Sequence, residues 1–135
     1  MNDLKTVFLS GPIRGLSRAD SLGWRNKAVE LLSSKFKVLH ALRGREEKEV
    51  FTDPRAAVIR DLNDVFYCDV LLVNDTYDSA NMIGTAMEVF YAHQNNKPVI
   101  IFGKAHDKDY WLNYHSHLRV DTLEEACKIV SDMFA

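Results

Sequence analysis

The sequence predicts an α/β domain: a single five-stranded parallel sheet with helices on both faces. Short β-branched runs alternate with stretches of helical period along the chain, as a parallel sheet with crossover helices requires. The run Pro98-Val99-Ile100-Ile101-Phe102 is apolar throughout, the pattern of a strand covered on both sides. Helix starts such as Asp53-Pro54 and the Thr122 capping box punctuate the strand-like runs.

Residues 6–10 form a short apolar strand ending in Gly11-Pro12. A helix over 17–35 follows, with Trp24, Ala28, Leu31 and Leu32 at helical spacing. Residues 36–40 read as the second strand. Residues 43–52 are charged and irregular, long enough to form a loop over a site. The helix begun by Asp53-Pro54 presents Val58, Leu62, Val65 and Phe66 on one face and ends near Tyr67. Residues 70–73 are the third strand, 84–95 a helix, 98–102 the fourth strand and 118–120 a short fifth. The last helix runs from Asp121 through Phe134. A flavodoxin-like three-layer order with right-handed crossovers places the loops after strands one, three and four on one edge. Those loops hold residues 11–15, 75–83 and 103 onward, so the chemistry is expected there.

The 135 residues suit one domain, 1–135, which at this size buries roughly two thirds of its unfolded surface. Hydrophobic residues make up 47%, which excludes a disordered chain. A net charge of −2 without like-charge blocks argues against a nucleic-acid polymer as partner. No run reaches membrane-spanning length and no signal-peptide pattern opens the sequence, so a cytoplasmic protein is expected. Cys68 and Cys127 read as buried thiols of a reducing compartment.

Absent motifs narrow the chemistry. Gly11-Pro12-Ile13-Arg14-Gly15 is neither a dinucleotide loop nor a P-loop, and no Gly-x-Ser-x-Gly elbow exists. His115-x-His117 has no third ligand nearby in sequence, so no metal is expected. No cofactor is indicated either. The reactive groups left are carboxylates.

Gly84-Thr85-Ala86-Met87-Glu88 reads as a helix start with a carboxylate in its first turn, beyond a strand end where α/β ligands sit. There the helix N-terminus would hold Glu88 ionised. Thr85-x-x-Glu88 also fits a capping box, in which Glu88 serves only the helix start. Asp61 points away from the Leu62 and Val65 face; Asp64 and Asp78 read as solvated aspartates. One ionised and one proton-carrying carboxyl in a single crevice can cleave a glycosidic bond. Glu88 would attack the anomeric carbon and Asp61 would handle the leaving group's proton. The loop from Gly11 to Gly15 would hold an oxygen-rich part of the substrate through backbone N–H groups, with Arg14 available for a phosphate.

These residues resemble the nucleoside 2-deoxyribosyltransferase superfamily, which includes the 2′-deoxynucleoside 5′-monophosphate and CMP N-glycosidases. The resemblance runs from Val7 to about Phe102. Phe8-Leu9-Ser10-Gly11-Pro12-Ile13-Arg14-Gly15 is similar to the first strand and sugar-binding loop, and its Ile-Arg-Gly piece to the monophosphate hydrolases. Asp61-Leu62 followed by Cys68-Asp69-Val70 resembles the helix that supplies the catalytic aspartate. Gly84 to Glu88 resembles the segment of the nucleophilic glutamate, and Lys97-Pro98-Val99-Ile100 the strand after it. Ser10, Gly11, Ile13, Arg14, Gly15, Asp75, Ser79, Asn81, Met82 and Gly84 are then substrate-binding candidates, with Phe8 beside them. The resemblance also implies a homodimer or larger homo-oligomer with shared sites.

Three positions depart from that pattern. Phe8 stands where the superfamily has a tyrosine touching the nucleophile and sugar. Met82 stands six residues before the glutamate, where transferases carry aspartate and monophosphate hydrolases serine; Asp78, Ser79 or Asn81 are the candidates for that role. The ending Asp132-Met133-Phe134-Ala135 does not resemble the transferases' C-terminal carboxylate. The implied activity is cleavage of a (deoxy)nucleoside and transfer of the 2-deoxyribosyl group to another base. Hydrolysis of a (deoxy)nucleoside 5′-monophosphate is the alternative, and a non-catalytic nucleotide-binding domain a third reading. Met82 favours transfer over hydrolysis, while Arg14 argues the other way. Base, sugar and phosphate preference stay open.

Overall fold

The computed structural model describes residues 4–135. Five strands, β1 (Lys5–Ser10), β2 (Phe36–His40), β3 (Val70–Asn74), β4 (Val99–Phe102) and β5 (Leu118–Val120), form one sheet in the order β2-β1-β3-β4-β5. Every pairing is parallel; Phe8 sits beside Leu39 on one side and Leu71 on the other. The order reverses between β1 and β3, so their C-terminal ends open a crevice.

Period-2 alternation sorts the strand residues between two cores. Val7, Leu9, Val70, Leu72, Ile100 and Phe102 face α1 (Arg18–Leu32) and α5 (Leu123–Met133). Phe8, Leu71, Val73, Val99 and Ile101 face α2 (Pro54–Tyr67), α3 (Ile83–Gln94) and the short α4 (Tyr110–Tyr114). The strand and helix order expected from the sequence is present, with α4 added. Asp109 caps α4, accepting the Leu112 N–H at 2.9 Å. No helix among the described residues is long and apolar enough to cross a membrane. Cys68 and Cys127 are free and buried.

Helix faces differ from expectation in three places. In α1 the buried stripe is Ser21, Arg25, Ala28 and Leu32, while Leu31 is exposed. Trp24 lies at the margin of that stripe and packs edge-on against Phe102 at the sheet end, with ring centroids 5.7 Å apart. In α2 the inward residues are Ala57, Asp64 and Val65, whereas Val58, Ile59 and Phe66 face outward. Asp64 is therefore not solvated; Arg43, from the loop after β2, pairs with it. In α3 the first residue is Ile83 and the cap position is Met82, without a side-chain capping bond. Asn81 instead accepts the Ile83 N–H at 2.9 Å, and Thr85 is buried inside the helix. Glu88 thus lies in the second turn. The capping box expected there is absent; at Thr122 the cap bond forms, Thr122 Oγ1 accepting the Glu125 N–H, while the Glu125 carboxylate accepts from the Thr122 hydroxyl.

Candidate active site

The crevice is built from the end of β1, the inner faces of α2 and α3, and the loops leaving β1 and β3. Strand alternation places Ser10 on the same face as Phe8, toward α2 and α3. Its Oγ donates to Glu88 Oε1 at 2.6 Å, joining residues far apart in sequence. Burial raises the Glu88 carboxyl to about 8; the Ser10 hydrogen bond opposes that rise and the Asp61 charge adds to it. The expected ionising pull of a helix N-terminus is replaced by desolvation, because the helix begins five residues earlier.

Asp61, expected to point away from the Leu62 and Val65 face, lies one turn before the buried Val65 on the same side of α2, with its Oδ1 buried. Its Oδ1 is buried without a hydrogen-bond partner, and burial raises its carboxyl to about 6, against the opposing charges of Arg60 and Arg45. The site therefore holds two carboxyls that keep protons far above the ordinary range. Behind them, from α1, Arg25 is 1% exposed. It donates to the carbonyls of Gly11 at 2.8 Å and Ser21 at 2.7 Å, and its guanidinium stacks over Trp24.

The β1 loop takes its shape from close packing. A Cβ on Gly11 would lie 2.7 Å from the Trp24 ring, and Gly15 has φ +87°, the left-handed region that favours glycine. Gly15 lies beside Ala80 and Asn81 of the β3–α3 loop, and the Asn81 N–H reaches the Arg14 carbonyl at 3.4 Å. Ile13, Arg14, Ser79, Asn81 and Met82 are thereby gathered on the two loops flanking the crevice, with Gly84 in the first turn of α3. Arg14 is exposed and makes no ion pair among the described residues. Nothing lies within 4 Å of a Cβ built on Gly84, so the start of α3 stays open.

Three substrate-binding candidates, Ser10, Phe8 and Asp75, are buried, Ser10 at 1% exposure with its hydroxyl on Glu88. Phe8 is wholly buried, packed into the core with Val65, Leu71 and Val89, and presents no surface to a ligand. Asp75 is also fully buried, its carboxylate bonded to Arg119 at 2.8 Å and to the His106 ring at 2.6 Å. It staples the loop after β4 to the end of β3. Gly103 completes that joint: it has φ +100°, and a Cβ there would meet the Asp75 carbonyl oxygen at 2.4 Å. His115 is buried with its Nδ1 on the Trp111 carbonyl, and no metal-binding cluster occurs among the described residues.

Known structures of the same shape include enzymes of nucleoside chemistry. A 2-deoxyribosyltransferase from Bacillus psychrosaccharolyticus matches with a TM-score of 0.69 at 15% identity, over 89% of this chain and 88% of that one. The CMP N-glycosidase BcmB of Clostridium botulinum matches with a TM-score of 0.65 at 17% identity, over 97% and 100%. The chain has the fold of these enzymes. A conserved protein from Enterococcus faecalis V583 shares it too, with a TM-score of 0.73 at 11% identity, over 97% and 99%. No protein-family model matches the sequence, and no curated protein does.

Sequence reasoning missed Arg25. Its signal was present in the spacing Ser21, Arg25, Ala28, Leu32, which follows one helical face (i, i+4, i+7, i+11) and so carries the arginine into the core.

Proposed function

We propose that this chain belongs to the nucleoside 2-deoxyribosyltransferase superfamily and cleaves the N-glycosidic bond of a (deoxy)nucleoside, transferring the 2-deoxyribosyl group to another base. The observation that carries the reading is the convergence of Glu88, held by Ser10, with Asp61 at the β1/β3 switch point. In the first step a Glu88 oxygen bonds to the anomeric carbon as the carbon–nitrogen bond breaks. The bonding pair leaves with the base nitrogen, and Asp61 delivers a proton to the base. In the second step a nitrogen of the incoming base attacks the anomeric carbon and releases the Glu88 carboxylate. The proton lost by that base returns to Asp61.

Hydrolysis of a 5′-monophosphate uses the same first step, with water as the second nucleophile. Arg14 favours this second reading, because its guanidinium is exposed on the crevice loop and unpaired among the described residues. Chromatography of a deoxynucleoside incubated with a free base, and of a monophosphate incubated alone, tests both. Base exchange supports transfer; free base released from the monophosphate supports hydrolysis. Binding without either product leaves a nucleotide-binding domain.

We also propose a homodimer through the outer faces of α2, α3 and α4. Val58, Ile59, Met87, Phe90 and Trp111 are 49–72% exposed there, the kind of apolar patch that marks an interaction site. The same face carries a groove of about 660 Å³ between α3 and α4, lined by Met87, Phe90 and Trp111, and beside it the exposed rings of Tyr110 and Tyr114. A two-fold axis would set this apolar face of one copy against the same face of the other. Sedimentation equilibrium giving a 15.5 kDa species at micromolar concentration would remove the dimer.

A further inference from the structure

At the start of β4 both main-chain groups of Val99 are taken by one residue, His117, which stands just before β5. The His117 N–H donates to the Val99 carbonyl at 2.9 Å, and the Val99 N–H donates to His117 Nδ1 at 3.0 Å. The imidazole thus stands where a backbone carbonyl of the neighbouring strand would otherwise continue the ladder. β5 is the last strand of the sheet, so no further element can take its place. Val99 is wholly buried, and a buried N–H left without an acceptor is costly.

A carbonyl accepts at every pH, whereas an imidazole does not. The ring nitrogen that accepts carries no proton, and a second proton on the ring turns it into a donor. Two N–H groups then face each other and the bond is lost. The His117 residue is exposed, so a proton can reach the ring from solvent.

We propose that His117 is a proton-sensitive clasp: neutral, it holds β5 and the chain leaving α4 to the start of β4, and protonated, it lets go. The inference is independent of the chemistry proposed for Glu88 and Asp61.

The surroundings give an arriving charge no answer. From α3, the His93 ring lies 6.2 Å from the His117 ring and 4.9 Å from that of His115, with its Nδ1 buried and without a partner. From α4, the Tyr114 ring lies 5.8 Å from His93 and 5.0 Å from His115, whose Nδ1 donates to the Trp111 carbonyl at 2.6 Å. Lys97, ahead of β4, holds its ammonium 5.8 Å from the Phe66 ring of α2. No carboxylate forms an ion pair with His93, His115 or His117 among the described residues. A proton on one of these rings repels a proton on the next, so they titrate as a group. Only the proton on His117 Nδ1 costs a main-chain bond. α4 runs through His115 and Ser116 straight into the clasp, and it carries Trp111 and Leu112 on the wall of the apolar groove. Acid therefore loosens that wall.

Amide hydrogen exchange of the intact protein, corrected for the intrinsic rate, is compared at about pH 8 and about pH 5, the range in which histidine changes charge. In the wild type the protection of the Val99 amide is expected to fall by about 10-fold or more on acidification. The Leu112 amide of α4 should follow it, while the Leu72 amide at the centre of the sheet should hold. His117→Asn offers an amide oxygen that accepts without titrating, so Val99 should stay protected at both pH values. His117→Ala should leave Val99 poorly protected at both. The ¹⁵N shift of His117 Nδ1 should titrate with the same midpoint as the loss at Val99. Constant Val99 protection in the wild type overturns the clasp. So does a fall in His117→Asn as large as that of the wild type, which would trace the effect to His93 or His115. An equal loss at Leu72 overturns it as well, since the whole domain would then be opening. If His117→Asn does not fold, the wild type decides, because a Val99 midpoint that departs from the His117 titration also overturns the clasp. A Leu112 amide that stays protected while Val99 opens removes α4 from the device.

Discussion

Ser10 Oγ donates a 2.6 Å hydrogen bond to Glu88 Oε1 across the crevice between β1 and α3. The bond places a hydroxyl on the carboxylate from the last residue of β1, two positions beyond Phe8 and on the same face of the strand. The hydroxyl that Phe8 cannot supply therefore reaches Glu88 from Ser10. Ser10→Ala should leave the fold intact and lower kcat/KM by about 10-fold or more, because one hydrogen bond to a charged group is worth about 1.5–3 kcal/mol. Its acid limb should also move to higher pH, since a bond that favours the carboxylate is lost. Unchanged kinetics across pH 5–9 would show that the bond does not persist in solution.

Glu88→Gln should abolish turnover and stabilise the protein. The folded carboxyl sits near 8 and the reference value is 4.5, so the native state binds the extra proton between those pH values. Stability therefore falls as pH rises through that window, by up to about 1.4 kcal/mol per unit, and levels off above it. Glu88→Gln removes the effect, so its gain in Tm over the wild type should be small near pH 4.5 and grow toward pH 8. Thermal melts across that range check it. A variant destabilised at every pH would return Glu88 to a structural role.

Asp61→Asn should slow turnover by roughly 10²–10⁴-fold if Asp61 carries the leaving group's proton. The loss should shrink for bases that depart readily without protonation. In the free protein the proton-donating form of Asp61 empties as pH rises through about 6, while the Glu88 carboxylate fills only toward 8. The productive pair, Asp61 protonated and Glu88 ionised, is thus the minor one-proton form, and kcat/KM should peak between the two values. The pair titrates as a unit, so the limbs belong to both groups. Equal loss for good and poor leaving groups would assign Asp61 to sugar positioning.

Asp75→Asn should destabilise the protein by about 3–5 kcal/mol, because it leaves Arg119 facing a neutral amide in a buried joint. His106 loses its carboxylate at the same time. A chemical-denaturation midpoint close to the wild type would show that the triad is not a structural joint.

The sheet was legible because its signal is chemical and repeats: β-branched runs bounded by turn residues mark strands whatever surrounds them. The carboxylates were legible as residues, yet their settings were not. Thr85-x-x-Glu88 has the spacing of a capping box, and local sequence cannot reveal that the helix starts at Ile83, leaving Glu88 to the sheet. On α2 the apolar residues suggested an inward face, whereas Asp61 and Asp64 face inward while Val58 and Phe66 face out. A helix whose apolar residues are exposed reads in sequence the same as one whose apolar face meets its own core. Asp75 looked like a loop carboxylate because its partners, His106 and Arg119, lie 31 and 44 residues away.

Arg14 separates the two enzymatic readings. It lies in the loop after β1, whose glycines let backbone N–H groups approach a ligand closely. Its carbonyl touches the β3–α3 loop while its side chain is exposed. For a substrate bearing a 5′-phosphate, the guanidinium supplies a charge-assisted bond to an oxygen that the nucleoside lacks. Arg14→Ala should then weaken kcat/KM for the monophosphate by about 1.5–3 kcal/mol, roughly 10- to 150-fold, relative to the matching nucleoside. Raising the ionic strength should narrow the gap, since an exposed charge contact is screened within about 8–10 Å at 0.1–0.15 M salt. Steady-state kinetics of both substrates with wild type and variant decide the matter. A selective loss on the monophosphate supports the hydrolase. Equal effects on nucleoside and monophosphate would remove the phosphate contact and leave Arg14 as a surface residue, the outcome that favours base exchange on nucleosides.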